Sequence, residues 1–252
     1  MKLLVDFGNT RVKWAWLEDG ELRDPQGFVH EGVTAQALAA RMADGRTVDE
    51  VRVASVAAPE RSRELCLALE AALRAPVHQA HTSAAAAGVR CAYHEPAQLG
   101  VDRWLAMVAA YAHHRSAACV VDAGTAWTID VVQADGRHLG GLIVPGPGLM
   151  RRALLGTTGG IASSARLLPD SGDHAGAWGR DTDACMRLGA WRAGAALVES
   201  CMASLVGHGE VPVLVLSGGD AGGLMPMLSG PVHHHPLLVL EGLALPGMVA
   251  AD

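Results

Sequence analysis

Two short stretches of this chain repeat one pattern, and that pattern limits what the chain can fold into. Lys2-Leu-Leu-Val-Asp6 is an apolar run that ends on an acid. Phe7-Gly8-Asn9-Thr10 follows with the residue types that tight turns use, and Val12-Lys-Trp-Ala-Trp16 returns with bulky side chains. Much later, Cys119-Val-Val-Asp122 again ends on an acid, Ala123-Gly124-Thr125 supplies the turn, and Ala126-Trp-Thr-Ile-Asp-Val-Val132 returns. Each copy predicts a strand–turn–strand hairpin and not a strand–turn–helix unit. The two acids lie 116 residues apart (122 − 6). A hairpin repeated at that distance predicts a duplicated domain, 1–115 and 116–252.

The rest of the chain reads as mixed helix and strand. Val33–Ala43, Glu60–Leu73, Asp102–His114 and Thr182–Val206 carry helical patterns, with Leu65, Leu69 and Leu73 at helical spacing. Val51–Val56 and Val211–Leu216 read as buried strands. Gly189 and Gly194 weaken the long helix from Thr182 unless another element packs closely there. No low-complexity linker separates the halves, so they are expected to pack around a shared cleft.

Composition excludes several classes. Half of the 252 residues are hydrophobic, enough for a sizeable core. A net charge of −6 argues against a nucleic-acid partner, whose footprint is a basic surface. No apolar run approaches the roughly 20 residues of a membrane helix. The apolar start is broken at Asp6, unlike a signal peptide. Cys66, Cys91, Cys119, Cys185 and Cys201 are odd in number and form no Cys-x-x-Cys pair, which predicts reduced, mostly buried thiols in a cytoplasmic protein.

The chemistry concentrates in the repeated turns and one further segment. A turn with Gly and Asn or Thr after a strand offers backbone N–H groups and a hydroxyl to phosphate oxygens. An acid at the strand end suits Mg²⁺, and Lys13 on the returning strand suits a phosphate. A single such turn is an ordinary capped hairpin; two on buried strands favour phosphate binding. No Walker A loop occurs, and no Gly-x-Gly-x-x-Gly opens a helix after a strand. The segment Tyr93-His-Glu-Pro-Ala-Gln-Leu-Gly100-Val-Asp102-Arg103-Trp104 holds an acid beside a cation at a helix start. On its own that is a common surface pair. Its chemical reading is a general base with a charge-stabilising neighbour, with Gly100 letting a ligand approach the backbone.

Taken in order, Asp6-x-Gly-Asn-Thr-x-x-Lys13, Gly100-Val-Asp-Arg103, Asp122-x-Gly-Thr-Ala126 and Gly140-Gly-Leu-Ile-Val-Pro-Gly146 resemble the type III pantothenate kinases, the Bvg-accessory-factor-like family. The resemblance runs from the first residues through Gly219. It implies an α/β fold, the duplicated acetate kinase/sugar kinase/Hsp70/actin-like (ribonuclease H-like) architecture with two domains around a cleft. It implies ATP-dependent phosphorylation of pantothenate to 4'-phosphopantothenate, the first step of coenzyme A biosynthesis.

By motif match, Asp6, Gly8, Asn9, Thr10, Lys13 and Thr125 would bind ATP, with Asp6 near Mg²⁺. Tyr93, Gly100, Val101, Asp102, Arg103 and Thr182 would hold pantothenate, and Asp102 would accept the proton. Asp122 would serve a monovalent cation, K⁺ or NH₄⁺. In the family the threonine contact crosses a homodimer interface, and the long helix from Thr182 offers such a surface. Ser217-Gly-Gly-Asp220 falls on the adenosine side. Two alternatives stand beside this: a kinase of another small alcohol, and a non-catalytic nucleotide-binding accessory regulator of transcription.

The chain departs from the family in places. Glu95-Pro96 stands where the family often has Asn-Pro, and Thr157-Thr158 is followed by Gly-Gly-Ile, with Leu-Pro only at Leu168-Pro169. That makes 169–179 the stretch the resemblance describes least. His233-His-His235, flanked by Pro231 and Pro236, predicts a solvated loop and not a metal site. Trp14, Trp16 and Trp127 are expected in the core.

Overall fold

The computed structural model describes residues 1–157 and 178–249. Thr158 and the Leu168-Pro169 pair lie outside the described residues, as does most of 169–179. The chain divides into two units: Met1–His113 together with the segment that begins at Leu237, and His114–Pro236.

The first unit opens with the hairpin β1 (Lys2–Phe7) and β2 (Arg11–Glu18), then β3 (Glu21–Val29), α1 (Ala35–Ala43), β4 (Glu50–Ser55), α2 (Pro59–Leu73) and β5 (Val77–Gln79). A small ribbon, β6 (Ala85–Ala86) and β7 (Val89–Arg90), and a 3₁₀ turn at Pro96–Gln98 lead to α3 (Val101–His114). The strand order is β3-β2-β1-β4-β5, with β1–β3 antiparallel and β1, β4 and β5 parallel.

The second unit repeats this plan. Strands β8 (Ala118–Ala123), β9 (Ala126–Val132) and β10 (His138–Pro145) form the antiparallel part. Helices α4 (Pro147–Thr157) and α5 (Thr182–Gly207) precede β11 (Val213–Ser217), α6 (Ala221–Leu224) and β12 (Val232–His234). Its order is β10-β9-β8-β11-β12, position for position the order of the first sheet. The last helix, α7 (Leu238–Ala244), belongs with the first unit.

Period-2 alternation explains which face each strand buries. In the first unit Leu3, Val5 and Phe7 share a core with Val12, Trp14 and Trp16 and with Leu38, Met42, Leu65 and Leu69 of α1 and α2. The opposite face carries Leu4 and Asp6, and the register puts Arg52 beside Leu4 on that face. In the second unit Cys119, Val121, Ala123, Trp127 and Ile129 pack on Trp191, Ala195 and Val198 of α5. A Cβ on Gly194 would fall inside the Trp127 ring, so this glycine is a contact, whereas Gly189 faces open space. Both sheets therefore turn the face bearing their Asp away from these helices.

Helix α7 docks on the first unit through buried Leu238, Leu240 and Leu243, and Arg52 fastens its end. Its guanidinium is buried and donates to the Leu243, Ala244 and Leu245 carbonyls at 3.2–3.5 Å, the otherwise unpaired end of that helix. It also donates to Glu50 at 2.8 Å. Burial disfavours the Glu50 charge, but Lys2 and Arg52 outweigh it and hold the carboxyl below its ordinary value. Arg52→Ala should cost about 2–4 kcal/mol in a denaturant titration, because it strands three carbonyls and leaves Glu50 with Lys2 as its remaining cation. The Glu50 share is present at neutral pH and fades as acid protonates that group, so the penalty should shrink below the usual carboxylate range. An unchanged midpoint at pH 7 would contradict this.

Two expectations need correction. Val232–His234 is an edge strand, and the His233 ring lies 4.3 Å from that of His114, so this segment is part of the sheet and not a solvated loop. The cysteines are free, but Cys119 alone is buried, and Cys185 is exposed on α5. The three tryptophans do lie in the core.

Candidate active site

In the first unit, the β1–β2 register sets Asp6 directly opposite Lys13. Directly opposed residues of an antiparallel pair share a face, so an acid and a base are set on the same face, both half-buried. The turn between the strands is Gly8-Asn9-Thr10, with Asn9 and Thr10 exposed. Gly8 N–H donates to the Arg11 carbonyl at 3.0 Å, and a Cβ at Gly8 would stand 3.2 Å from that oxygen. The backbone of the turn thus closes tightly and leaves its polar residues at the surface.

A second cluster forms where α3 begins. Gly100 supplies the carbonyl that accepts the first helical bond, from Trp104 N–H at 3.1 Å. The carbonyl of Leu99 before it is held by the Thr82 hydroxyl at 2.8 Å. Val101 is buried, and Asp102 lies in the first turn, where a carboxylate suits the positive helix end. Asp102 Oδ1 accepts the Arg103 N–H at 2.7 Å. A Cβ on Gly100 would stand 2.7 Å from this same oxygen, so only glycine leaves the carboxylate where it is. Arg103 is buried and donates to the Tyr93 hydroxyl at 3.1 Å, with its guanidinium 6.0 Å from the ring centre. A buried cation in the first turn of a helix works against the helix dipole.

These two clusters lie on one side of the first sheet. Asp6 and Lys13 share the face of Arg52, and Arg52 bonds α7 on that face. Gly242 of α7 rests against the backbone of Leu105 in α3, where a Cβ would stand 2.2 Å from the carbonyl oxygen.

In the second unit, Asp122 is half-buried at the end of β8, and Thr125 is exposed on the next turn. Two glycines crowd this turn. Gly146, at the end of β10, donates its N–H to the Thr125 carbonyl at 3.0 Å, and a Cβ there would stand 2.6 Å from the Gly124 oxygen. Gly218, at φ +95°, lies on Ala123 so closely that a Cβ would stand 2.3 Å from its carbonyl oxygen. Next to it, Asp220 N–H donates to the Ala123 carbonyl at 2.8 Å, and Asp220 Oδ2 accepts the indole N–H of Trp127 at 3.1 Å. Thr182 is half-buried as the first residue of α5; Asp181 caps that helix by accepting from Ala184 N–H at 2.8 Å. Arg151 of α4 donates to buried Asp183 beside it.

The expected residues are thus gathered as two clusters in the first unit, with Asp122, Thr125 and Thr182 on the second. Sequence reasoning missed Trp127 as a hydrogen-bond donor and the Arg151–Asp183 pair. The pairs are 93 and 32 residues apart in the chain, and no local pattern marks them. Among the described residues, no helix is long and apolar enough to cross a membrane.

Comparison with known proteins bears on these clusters. The profile of a family described as type III pantothenate kinase matches residues 2–204. The type III pantothenate kinase of Halorhodospira halophila is 42% identical over 96% of this chain and 96% of its own length. That of Nitrosococcus oceani is 36% identical over 97% and 92%. Among solved structures, the ethanolamine utilization protein EutJ from Carboxydothermus hydrogenoformans superposes with a TM-score of 0.56 at 16% identity, covering 98% of this chain and 89% of its own. An activator of 2-hydroxyisocaproyl-CoA dehydratase from Clostridium difficile, with bound ADPNP, gives 0.52 at 12%, covering 96% and 92%. At such identities the likeness establishes the fold, the duplicated α/β architecture of the acetate and sugar kinases, Hsp70 and actin.

Proposed function

The chain belongs to the type III pantothenate kinase family, and from that premise we propose how its residues share the transfer of a phosphoryl group from ATP to pantothenate. The transfer is the first step of coenzyme A biosynthesis, and ATP enters with a divalent metal.

Pantothenate takes the first turn of α3. Tyr93, Gly100, Val101 and Arg103 bind it, the guanidinium and phenol offering donors to an anionic substrate. Thr182 adds a contact from α5. The primary hydroxyl attacks the γ-phosphorus in line. As that P–O bond forms, Asp102 accepts the hydroxyl proton, the bond from γ-phosphorus to the bridging oxygen breaks, and ADP leaves. Lys13, the turn Gly8-Asn9-Thr10 through the N–H groups of Asn9 and Thr10, and the Thr125 hydroxyl hold the phosphate oxygens. The Ser217–Asp220 loop lies toward adenosine.

Asp6 fits Mg²⁺: it is a hard oxygen donor, half-buried at a strand end beside an exposed polar turn. Bound there, Mg²⁺ spreads the phosphate charge. Asp122 occupies the equivalent strand end in the second sheet and would hold K⁺ or NH₄⁺.

A homodimer accords with the surface of the second unit. Edge strand β10 exposes Leu139, Leu142 and Ile143, α4 exposes Leu149 and Leu154, and Trp178 is 82% exposed. Exposed apolar side chains on β10 and α4 offer contacts to a second copy. The free thiols agree with a reducing, cytoplasmic compartment.

The carrying observation is the meeting of Asp102, Arg103 and Tyr93 at a helix start where Gly100 leaves the carboxylate its place. The test is ADP release with Mg²⁺, in K⁺ or Na⁺, with the oligomer measured by sedimentation. Turnover should require pantothenate, fall when Na⁺ replaces K⁺, and come from a dimer. ADP release indifferent to pantothenate would remove the assignment of α3, and indifference to the cation would remove that of Asp122.

A further inference from the structure

His30 stands just past the end of β3 and is fully buried, yet it is no part of the motifs that carry the family likeness. Its contacts converge on the turn Gly8-Asn9-Thr10. Its backbone N–H donates to the Thr10 carbonyl at 3.2 Å. Its ring nitrogen Nε2 lies 2.9 Å from the Gly8 carbonyl, and Nδ1 lies 3.0 Å from the Arg61 guanidinium. The ring packs at a 40° tilt with its centre 4.7 Å from that of Phe7, and the Arg61 guanidinium sits 5.5 Å over Phe7 from α2.

The partners decide the tautomer. A backbone carbonyl only accepts, and a guanidinium only donates. The ring must therefore carry its proton on Nε2 and present a lone pair at Nδ1, so this geometry holds a neutral imidazole with one tautomer. Arg61 selects that tautomer, and the tautomer supplies the donor that ties down Gly8.

We infer that His30, oriented by Arg61, is the positioning residue of the phosphate-binding turn. It holds both ends of the turn, Gly8 through its ring and Thr10 through its backbone. Its pull on the Gly8 carbonyl fixes the peptide planes, so the N–H groups of the turn keep one orientation before ATP arrives. Pre-set donors cost no reorganisation when charge develops on the transferring group. The inference rests on the assignment of this turn to ATP.

The test compares His30→Phe, which keeps the ring and its packing on Phe7 but removes the donor, with His30→Gln, whose amide restores an N–H near Nε2. ATP binding is measured by calorimetry beside steady-state kinetics. A half-buried carbonyl left without its donor, in a turn that must hold its N–H groups in place, predicts about a tenfold or greater loss in ATP affinity for His30→Phe. The KM for pantothenate should stay near native, and His30→Gln should recover most of the loss. Arg61 borders an open cavity of about 310 Å³ with Phe7 and Thr34, so Arg61→Met removes the guanidinium without opening the core. It should weaken ATP several-fold, and it decides the matter if His30→Phe does not fold. Native ATP affinity in Arg61→Met and in a folded His30→Phe overturns the inference, as does an equal rise in both KM values. If the native chain itself binds ATP without any pantothenate-dependent turnover, the functional reading fails, and the calorimetry still judges the turn.

Discussion

Asp102→Asn should lower kcat by about 10²–10⁴-fold while leaving the KM for pantothenate within a few-fold of native. Asn keeps the size of the side chain and an oxygen to accept the Arg103 N–H, now at 2.7 Å from Asp102 Oδ1. What it loses is the ability to take a proton. The loss therefore falls on the chemical step, where the attacking hydroxyl must shed its proton, and not on binding. Gly100→Ala approaches the same group from another side. A Cβ there would stand 2.7 Å from Asp102 Oδ1, so the carboxylate must turn away although its chemistry is intact. It should lower kcat less than Asp102→Asn does, since rotation can restore part of the geometry. Steady-state kinetics with ATP saturating checks both. An Asp102→Asn enzyme with kcat within about threefold of native would mean that the proton goes elsewhere.

The parts of this molecule that were readable in the chain are those whose cause is local. Strands β1, β2, β8 and β9 announce themselves because each carries apolar residues up to an acid, then Gly and a small polar residue, then a bulky return. Helix α2 shows its buried stripe as Leu65, Leu69 and Leu73. The identity of the two sheet orders then follows from the duplication that the hairpins had implied.

The unreadable parts have causes elsewhere in space. Strand β3 is Glu-Leu-Arg-Asp-Pro-Gln-Gly-Phe-Val, mostly polar and interrupted by Pro25, and it passes for a loop. It survives as a strand because it lies at the sheet edge, where proline is tolerated, and because the register slips between Trp14 and Trp16, with Asp24 at φ +47°. Strand β12, with two of its three residues histidine, hides for a similar reason. Helix α7 is fastened by partners far away in the chain, Arg52 being nearly 200 residues earlier. Glycines show the limit most sharply. Gly189 and Gly194 are alike in the sequence, yet one meets open space and the other the Trp127 ring. His30 was invisible for the same reason: its partners Gly8 and Arg61 are 22 and 31 residues away.

That dependence on neighbours makes Gly218 the sharpest test of the second half of the site. Its φ of +95° is a conformation that side chains rarely adopt, and a Cβ would meet the Ala123 backbone at 2.3 Å from O and 2.4 Å from C. Neither obstacle can be relieved by a side-chain rotation, because the opposing atoms are backbone at the end of β8. The loop must lift instead, stretching the Asp220 N–H bond to Ala123 and the Trp127 bond to Asp220. Strain and lost hydrogen bonds together predict about 3 kcal/mol of destabilisation for Gly218→Ala. The Gly124-Thr125 turn follows Ala123 directly, so the displacement should also raise the KM for ATP about tenfold or more, with the KM for pantothenate much less affected. The adjacent Gly219 provides the control. Nothing lies within 4 Å of its Cβ position, and its φ is not in the left-handed region. Gly219→Ala should melt like the native protein. If Gly218→Ala and Gly219→Ala behave alike in thermal melts, close approach at Gly218 does not hold this turn.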